Sequence, residues 1–288
     1  MTIAQSTYHK PFRPGFWLRR ALLYLVITLG ALLCLFPFYW MVVVATRPSA
    51  EVFSFPPKVI PGGLFMEHVQ ALFKMLPFAR IYGNTVGYAL SVTTLMLFFD
   101  SLAGFAFAKY RFPGRDFLFG FLLVTMMIPG AVTLIPWFVE MKLFGWLDSY
   151  AALIIPSAVD AFGIFWMRQY IQDAVPSELL DAARIDGASD FSTYWRIVVP
   201  IISPALGALA ILTFMGAWNN LVGPLIIITT TEKFSLTVAL NTLIGLRMTD
   251  YGALMAGTVL AVLPIIIVFL LGARRFISGI TAGSIQGM

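Results

Sequence analysis

The segment from Glu178 to Asp190 reads ELLDAARIDGASD and contains four acidic side chains and one arginine. It lies in a chain that is 59% hydrophobic and only 11% charged. Asp181 and Arg184 are three residues apart, so their side chains can form an ion pair if the segment is helical. The segment is either a solvated loop or a short surface helix with a defined role, and the surrounding sequence distinguishes the two.

Signatures of nucleotide hydrolysis and of metal binding are absent from the sequence. No lysine follows a glycine, so the chain has no P-loop for the phosphates of ATP. His9 and His68 are the only histidines and form no H-E-x-x-H zinc motif. Cys34 is the only cysteine, which excludes an internal disulfide and a cysteine metal cluster. We expect no enzymatic activity, no metal and no cofactor in this chain itself.

The composition indicates a membrane protein. The mean hydropathy is +0.87 and 15% of the residues are aromatic, both outside the range of ordinary soluble domains. A bilayer core of about 30 Å requires roughly 20 apolar residues per helix. An all-α, polytopic fold is therefore predicted, with six transmembrane helices near Ala21 to Ala45, Val86 to Ala108, Phe117 to Phe138, Tyr150 to Met167, Ile201 to Ile228 and Leu254 to Leu271.

The distribution of basic residues predicts the orientation of these spans. Six spans place both termini on one side, and lysine and arginine collect on the cytoplasmic side. Twelve of the 19 basic residues fall on the side of the termini and of the acidic segment, against seven on the other side. Both termini are thus predicted to be cytoplasmic. The net charge of +5 is explained by this asymmetry, so it indicates no nucleic-acid surface.

Local signals around the acidic segment favour a helix with a defined start and end. Pro176 and Ser177 mark its start, with Ser177 as the predicted cap. Gly187 is predicted to stop the helix in the left-handed conformation, and Ser189 or Asp190 to start a second helix towards the fifth span. A narrow apolar face is predicted from four residues: Leu179, Ala182, Ala183 and Ile185.

This segment resembles the EAA loop of binding-protein-dependent ABC importer permeases, written E-A-A-x3-G-x9-I-x-L-P. The spacing agrees throughout, at Asp181, Ala182, Ala183, Gly187, Ile197, Val199 and Pro200. Asp181 replaces the glutamate of the pattern and Val199 its leucine, and both changes keep the side-chain class. The flanking FMGAWNNLVGPL and FISGITAGSIQG are similar to the carbohydrate branch, in particular to the second, six-helix permease of maltose-type importers.

The resemblance implies a type I ABC importer permease fold, with a coupling helix at about residues 177–187. It implies that seven residues contact an ATPase subunit: Glu178, Asp181, Ala182, Ala183, Arg184, Asp186 and Gly187. The implied partners are a second permease, two ATPase subunits that bind ATP and Mg²⁺, an extracytoplasmic sugar-binding protein and a carbohydrate. The implied location is a bacterial or archaeal cytoplasmic membrane.

Four regions follow from the predicted spans and this resemblance. Residues 1–20 form a cytoplasmic tail, 21–83 the first span and an outer loop, 84–276 a core of five spans, and 277–288 a second cytoplasmic tail. In the outer loop, LFMEHVQALFKML predicts a short helix at the membrane interface. The resemblance implies that the C-terminal tail can also reach the ATPase pair.

Four polar side chains fall within the predicted spans: Asp100, Asp160, Asn219 and Asn220. A carboxylate within a bilayer costs about 2.5 to 3.5 kcal/mol on insertion scales, so these groups should face protein or water. Carboxylates and amides can form several hydrogen bonds with sugar hydroxyls, so all four are candidate substrate-pathway residues. Bonding to neighbouring helices is the alternative and is favoured for Asp100. An ion-coupled transporter or an intramembrane enzyme that uses Asp100 and Asp160 remains open.

Overall fold

The computed structural model describes the backbone of residues 14–244 and 250–282, and the side chains of residues 19–244 and 250–272. Within these ranges the chain is helical and contains no strand. The helices are α1 (Pro14–Ala45), α2 (Phe65–Met75), α3 (Phe78–Lys109), α4 (Arg115–Thr125), α5 (Gly130–Leu143), α6 (Ala151–Ile154), α7 (Ala161–Ala174), α8 (Ser177–Ile185), α9 (Asp190–Thr193), α10 (Val199–Ile201), α11 (Ser203–Trp218), α12 (Val222–Ile227), α13 (Leu236–Thr242) and α14 (Tyr251–Ala282). Of the two predicted tails, residues 1–13 and 283–288 lie outside the described residues.

Five segments of the described chain are long and apolar enough to cross a membrane, namely Arg19–Ala45, Phe78–Lys109, Ala151–Ala174, Ser203–Ile227 and Tyr251–Gly272. A sixth results if α4 and α5, which are bent by 101°, count as one span. The predicted all-α, polytopic fold is confirmed. The predicted span from Phe117 to Phe138 is broken, because Pro129 has an extended backbone and cannot donate a helical hydrogen bond.

The fourth and fifth spans are also interrupted. The fourth breaks between α6 and α7, where Pro156 begins a short 3₁₀ turn. The fifth breaks between α11 and α12, because Pro224 has no N–H to donate to the carbonyl of Asn220. The hydroxyl of Thr237 donates to that carbonyl instead, at 2.8 Å. Interruptions of this kind are tolerated in a membrane where other groups satisfy the freed backbone.

The helices α3, α7, α11 and α14 form the packed centre, and two glycines allow α3 and α7 to approach closely. A Cβ atom on Gly104 of α3 would lie 2.8 Å from Met167 Cβ, and one on Gly163 of α7 would overlap the Asp100 carboxylate. The helix predicted in the outer loop is confirmed as α2. We call the end of α3 at Lys109, near α8, the inner end, and the end at Phe78 the outer end.

Candidate coupling helix and translocation cavity

The acidic segment forms the helix α8 and ends as predicted. Gly187 has φ +76°, and its N–H donates to the carbonyl of Arg184 at 3.0 Å. The N–H of Ala188 donates to the carbonyl of Ala183 at 2.9 Å. These two bonds form a Schellman motif, in which the left-handed residue is normally glycine. The predicted left-handed stop at Gly187 is therefore confirmed.

The start and the faces of α8 differ from the prediction. Pro176 occupies the capping position and Ser177 is the first helical residue, so the predicted cap at Ser177 is wrong. Leu180 and Ala183 are the buried side chains of α8, and Leu180 belongs to an apolar cluster with Phe105 of α3 and Met167 of α7.

The residues predicted as one apolar face are divided between two sides. Leu179 is 42% exposed, Ile185 is 87% exposed and Ala182 is also exposed, whereas Ala183 is buried. The helix thus has an inner apolar face that attaches it to the spans and an outer apolar face. The outer apolar face consists of Leu179, Ala182 and Ile185 and is exposed at the inner end.

The charged groups of α8 lie on the surface. Asp181 and Arg184 form the predicted ion pair, with 3.5 Å between Oδ1 and Nη1. The Arg184 guanidinium also lies 5.7 Å from the ring centroid of Tyr110, which follows α3. Burial, followed by the neighbouring Asp190 carboxylate, raises the pKa of Tyr110 above its usual value. Exposed ion pairs of this kind stabilise a fold by at most about 1 kcal/mol, so they are available for contacts with another protein.

A second helical segment connects α8 to the fifth span. Ser189 is confirmed as its cap, because its hydroxyl accepts a hydrogen bond from the N–H of Ser192 at 3.3 Å. A π-helical turn follows at Tyr194–Val198. The buried Tyr194 hydroxyl lies 2.7 Å from that of Ser101 on α3. The segment is therefore anchored to the second span as well as to the fifth.

A cavity of about 460 Å³ lies where the two interrupted spans meet α3. The break in the fourth span contributes Ser157 and Asp160, and the fifth span contributes Gly216 and Asn220. The second span contributes a stripe at four-residue spacing, formed by Tyr88, Val92 and Met96. Interrupted membrane helices often line solute sites, because their ends expose polar backbone groups.

The cavity brings together two of the four polar residues predicted for the pathway. Asp160 Oδ2 accepts a hydrogen bond from the N–H of Gly163 at 3.1 Å, so the side chain caps α7. Asn220 Nδ2 donates to the Tyr88 hydroxyl at 3.1 Å, and its Oδ1 accepts from the N–H of Gly223 at 3.2 Å. Both side chains thus shape the cavity wall through hydrogen bonds of their own.

The other two predicted residues lie elsewhere. Asn219 lines a separate cavity of about 390 Å³ between α11, α13 and α14, and its Nδ2 donates to the carbonyl of Met215 at 2.9 Å. Asp100 is fully buried and its Oδ1 accepts from the N–H of Asp160 at 2.9 Å. Asp100 therefore bonds to a neighbouring helix, which is the alternative that the sequence favoured.

Sequence reasoning missed several residues of the cavity wall, among them Tyr88, Ser157, Thr213 and Gly216. The four-residue spacing of Tyr88, Val92 and Met96 was a usable signal for one wall. Ser157 lines the cavity because the fourth span is broken at Pro156, and hydropathy alone does not predict where Ser157 lies after such a break.

One helix, α7, joins the cavity to α8. α7 begins directly after Asp160 and ends at Ala174, and α8 begins three residues later at Ser177. The close approach of Gly104 and Gly163 fixes α7 against α3. A displacement of α8 is therefore expected to reach the cavity wall through α7.

Comparison with known proteins identifies the family. Residues 100–281 match the family described as binding-protein-dependent transport system inner membrane component. Over 277 residues, 95% of this chain and 98% of the relative, the chain is 34% identical to the arabinooligosaccharides transport system permease protein AraQ of Bacillus subtilis. Over 263 residues, 91% of this chain and 95% of the relative, it is 34% identical to the lactose transport system permease protein LacG of Rhizobium radiobacter.

A further relative and one solved structure agree with this match. The sn-glycerol-3-phosphate transport system permease protein UgpE of Escherichia coli is 32% identical over 263 residues, which are 88% of this chain and 93% of the relative. A chain of a bacterial ABC transporter involved in the import of the acidic polysaccharide alginate has the same fold, with TM-score 0.82, 23% identity, and coverage of 93% of this chain and 100% of that chain. The chain therefore belongs to the family of binding-protein-dependent transport system inner membrane components and has the type I ABC importer permease fold.

Proposed function

We propose that this chain forms half of the translocation pathway of an ATP-driven importer for a sugar or a related carbohydrate. The observation that carries the proposal is the connection of the cavity to the exposed helix α8 through α7. The named relatives transport arabinooligosaccharides, lactose or sn-glycerol-3-phosphate, which are all rich in hydroxyl groups. A solute of this class requires several hydrogen-bonding groups along its path.

The proposed partners are a second permease, two ATPase subunits and an extracytoplasmic sugar-binding protein. ATP and Mg²⁺ are held by the ATPase subunits, since this sequence has no P-loop. The proposed location is the cytoplasmic membrane, with both termini in the cytoplasm. The excess of basic residues on the side of the termini supports this orientation.

In the proposed mechanism α8 docks into a groove of one ATPase subunit. Its outer apolar face supplies the buried contact, and Glu178, Asp181 and Asp186 pair with basic groups at the rim. When the ATPase pair closes, α8 moves with it, and α7 carries the displacement to the cavity wall at Asp160. Hydrolysis of ATP is thereby coupled to opening of the pathway.

Within the cavity, Asp160 and Asn220 are the proposed substrate contacts, together with Tyr88, Ser157 and Thr213. Carboxylate and amide groups accept or donate hydrogen bonds to sugar hydroxyls. Asn219 and Asp100 lie outside this cavity, so we assign them no contact with the solute. The geometry does not favour a catalytic or ion-coupling pair, because Asp100 bonds to the backbone of Asp160 and is closed off from the cavity.

A glycine of the cavity wall tests this assignment. Gly216 lines the cavity, and a Cβ atom placed on it would meet no heavy atom within 4 Å. We expect Gly216→Leu to fold and to fill the passage with its side chain. The matched control is Gly87→Leu, because Gly87 is exposed on α3, also has open space at its Cβ position and does not line the cavity.

The measurement is uptake of radiolabelled lactose, arabinotriose and sn-glycerol-3-phosphate by cells that express the whole importer. For any solute that the wild type takes up, we expect Gly216→Leu to lower uptake at least about tenfold, since overlap with the leucine raises the barrier by more than about 1.4 kcal/mol. Gly87→Leu should keep most of the uptake. Normal uptake through the Gly216→Leu permease would rule out this cavity as the passage.

A further inference from the structure

A tight turn at the inner end of α3 places two arginines beside an open cavity. The N–H of Arg115 donates to the carbonyl of Phe112 at 3.2 Å, and Gly114 between them has φ +81°. With proline at position 113, these features define a type II turn. The cavity has a volume of about 470 Å³ and is lined by Arg111, Phe112, Gly114, Arg115, Asp116 and Phe117.

An aromatic cluster holds this turn in place. The Phe107 ring of α3 lies 5.8 Å from the Phe112 ring of the turn and 5.5 Å from the Phe119 ring of α4. The Arg168 guanidinium of α7 lies 3.9 Å from the centroid of Phe119. The turn is thus held by contacts that involve α3, α4 and α7, and its two arginines extend from a fixed backbone.

The cavity has a net positive charge and unused donors. Arg111 is exposed, and within the described part of the chain its guanidinium has no hydrogen bond or ion pair. Arg115 donates through Nε to Asp116 Oδ1 at 2.9 Å, and a guanidinium has four further N–H donors. With Arg111, Arg115 and Asp116 charged, the lining carries a charge of +1. Guanidinium groups bind the oxygens of a phosphate in pairs, as they bind carboxylates.

The surroundings of the cavity distinguish a phosphate of a lipid headgroup from a free phosphate ion. Phe117 is 77% exposed and Phe121, one helical turn further along α4, is 62% exposed. These rings lie on the same side of α4, in the first half of a bent span that is apolar enough to cross a membrane. We therefore expect the arginines to lie at the depth of the lipid headgroups, on the side of the membrane that carries α8.

We propose that the cavity between Arg111 and Arg115 binds the phosphodiester headgroup of an anionic phospholipid, with its acyl chains against Phe117 and Phe121. Basic pockets beside membrane helices bind such headgroups. An acidic protein surface could also pair with the arginines, but the exposed rings directly beside them favour a ligand that has apolar chains.

The test counts phospholipids bound to the whole importer by native mass spectrometry. The importer is purified in mild detergent and then incubated with mixed micelles that contain phosphatidylglycerol or phosphatidylcholine. We expect wild type to retain phosphatidylglycerol, and Arg111→Gln/Arg115→Gln to bind it about tenfold more weakly, since two charged contacts are lost. The control Arg80→Gln removes an exposed arginine at the outer end of the same helix and should bind as wild type does.

A single variant and a competition with inorganic phosphate complete the test. If the double variant does not assemble, Arg111→Gln alone is measured, because Arg111 has no partner in the described chain that its loss would disturb. A large excess of inorganic phosphate should leave the lipid bound, and displacement by it would show a site for the free anion. Equal retention by wild type and the double variant, or an equal loss in Arg80→Gln, would overturn the proposal. So would a loss of ATPase binding without a change in bound lipid.

Discussion

The backbone N–H of Asp160 donates a hydrogen bond to the Asp100 carboxylate at 2.9 Å and so ties the interrupted fourth span to the second span. Asp100 is fully buried, and its other oxygen has no partner among the described residues. Asp160 in turn caps α7, which leads to α8. Asp100 thus positions the start of the helix that links the cavity to α8.

Replacing Asp100 separates the need for a hydrogen-bond acceptor from the need for a charge. Asp100→Asn keeps an oxygen that accepts from Asp160, whereas Asp100→Leu leaves this buried N–H without a partner. We expect the leucine variant to lose about 1 to 3 kcal/mol of stability, and the asparagine variant much less. Thermal unfolding of the purified importer provides the measurement. Equal destabilisation by both variants would contradict the assigned role.

The close approach of α3 and α7 predicts a strong effect of one methyl group. A Cβ on Gly163 would overlap the Asp100 carboxylate, so Gly163→Ala should cost about 1 to 3 kcal/mol and reduce solute uptake. Gly87→Ala is the control, because Gly87 has open space and alanine favours a helix by about 1 kcal/mol. Thermal unfolding midpoints of the two variants should shift in opposite directions. A normal midpoint for Gly163→Ala would show that the helices can separate at no cost.

A carboxylate at the outer end fixes the loop that follows α12. Asp148 Oδ1 accepts from the N–H groups of Thr229 and Thr230, both at 2.9 Å, and Oδ2 pairs with Lys233 Nζ at 2.8 Å. We expect Asp148→Ala to accelerate hydrogen exchange of the two threonine amides by about tenfold or more, since bonds to a charged group contribute about 1.5 to 3 kcal/mol. The amides of Ala239 in α13 and of Leu243 directly after it provide the internal reference. Unchanged exchange at Thr229 and Thr230 would show that the loop is fixed by other contacts.

The same carboxylate gives a pH dependence with a defined sign. The hydrogen bond from Lys233, followed by those from Thr230, lowers the pKa of Asp148 far below its usual value. Because the folded-state pKa is the lower one, the stabilisation is fully present above the ordinary carboxyl pKa of about 4 and is lost as the pH falls below it. Exchange at Thr229 and Thr230, corrected for the intrinsic rate, should therefore stay flat from neutral pH down to about pH 4. A rise in this corrected rate already near neutral pH would contradict the assignment.

Membrane orientation is tested by single cysteines in a Cys34→Ser background. Lys58 lies exposed in the outer loop, and Ile185 is 87% exposed on α8. In intact cells that express the permease without the ATPase subunits, an impermeant thiol reagent should label Lys58→Cys and leave Ile185→Cys unlabelled until the membrane is permeabilised. Labelling of Ile185→Cys from outside would reverse the orientation predicted from the basic residues.

The helix α8 could be predicted from the sequence because its signals are local. A proline at its start and a glycine at its end act within one helical turn, and the structure confirms the left-handed Gly187. The outward direction of Leu179 and Ile185 could not be predicted in the same way. It depends on which face of α8 packs on α3 and α7, and that contact joins distant parts of the chain.

The cavity was only partly predictable for a related reason. Asn219 and Asn220 are adjacent in sequence, yet they line different cavities, because they lie in the break between α11 and α12. The composition therefore placed both amides within the fifth span but could not assign them to one passage. The breaks after Ile154 and Trp218 decide which side chains meet, and a hydropathy profile does not contain them.

The central claim is that α8 couples ATP hydrolysis to transport, and Gly187 tests it most directly. A Cβ atom on Gly187 would meet nothing within 4 Å, so a substitution acts through the left-handed backbone at φ +76° and through volume added to the docking surface. Valine is strained in this conformation by about 1 to 3 kcal/mol, whereas asparagine tolerates it. The pair thus separates loss of the helix stop from addition of a side chain.

The measurement is ATP hydrolysis by the importer in liposomes, with and without its sugar-loaded binding protein. We predict that Gly187→Val inserts normally but loses at least about 80% of the stimulated activity, since strain of this size alters a docked helix without unfolding the spans. Gly187→Asn should retain a large part of it. Wild-type stimulation in the Gly187→Val importer would contradict the account, because the acidic segment would then be a solvated surface with no part in coupling.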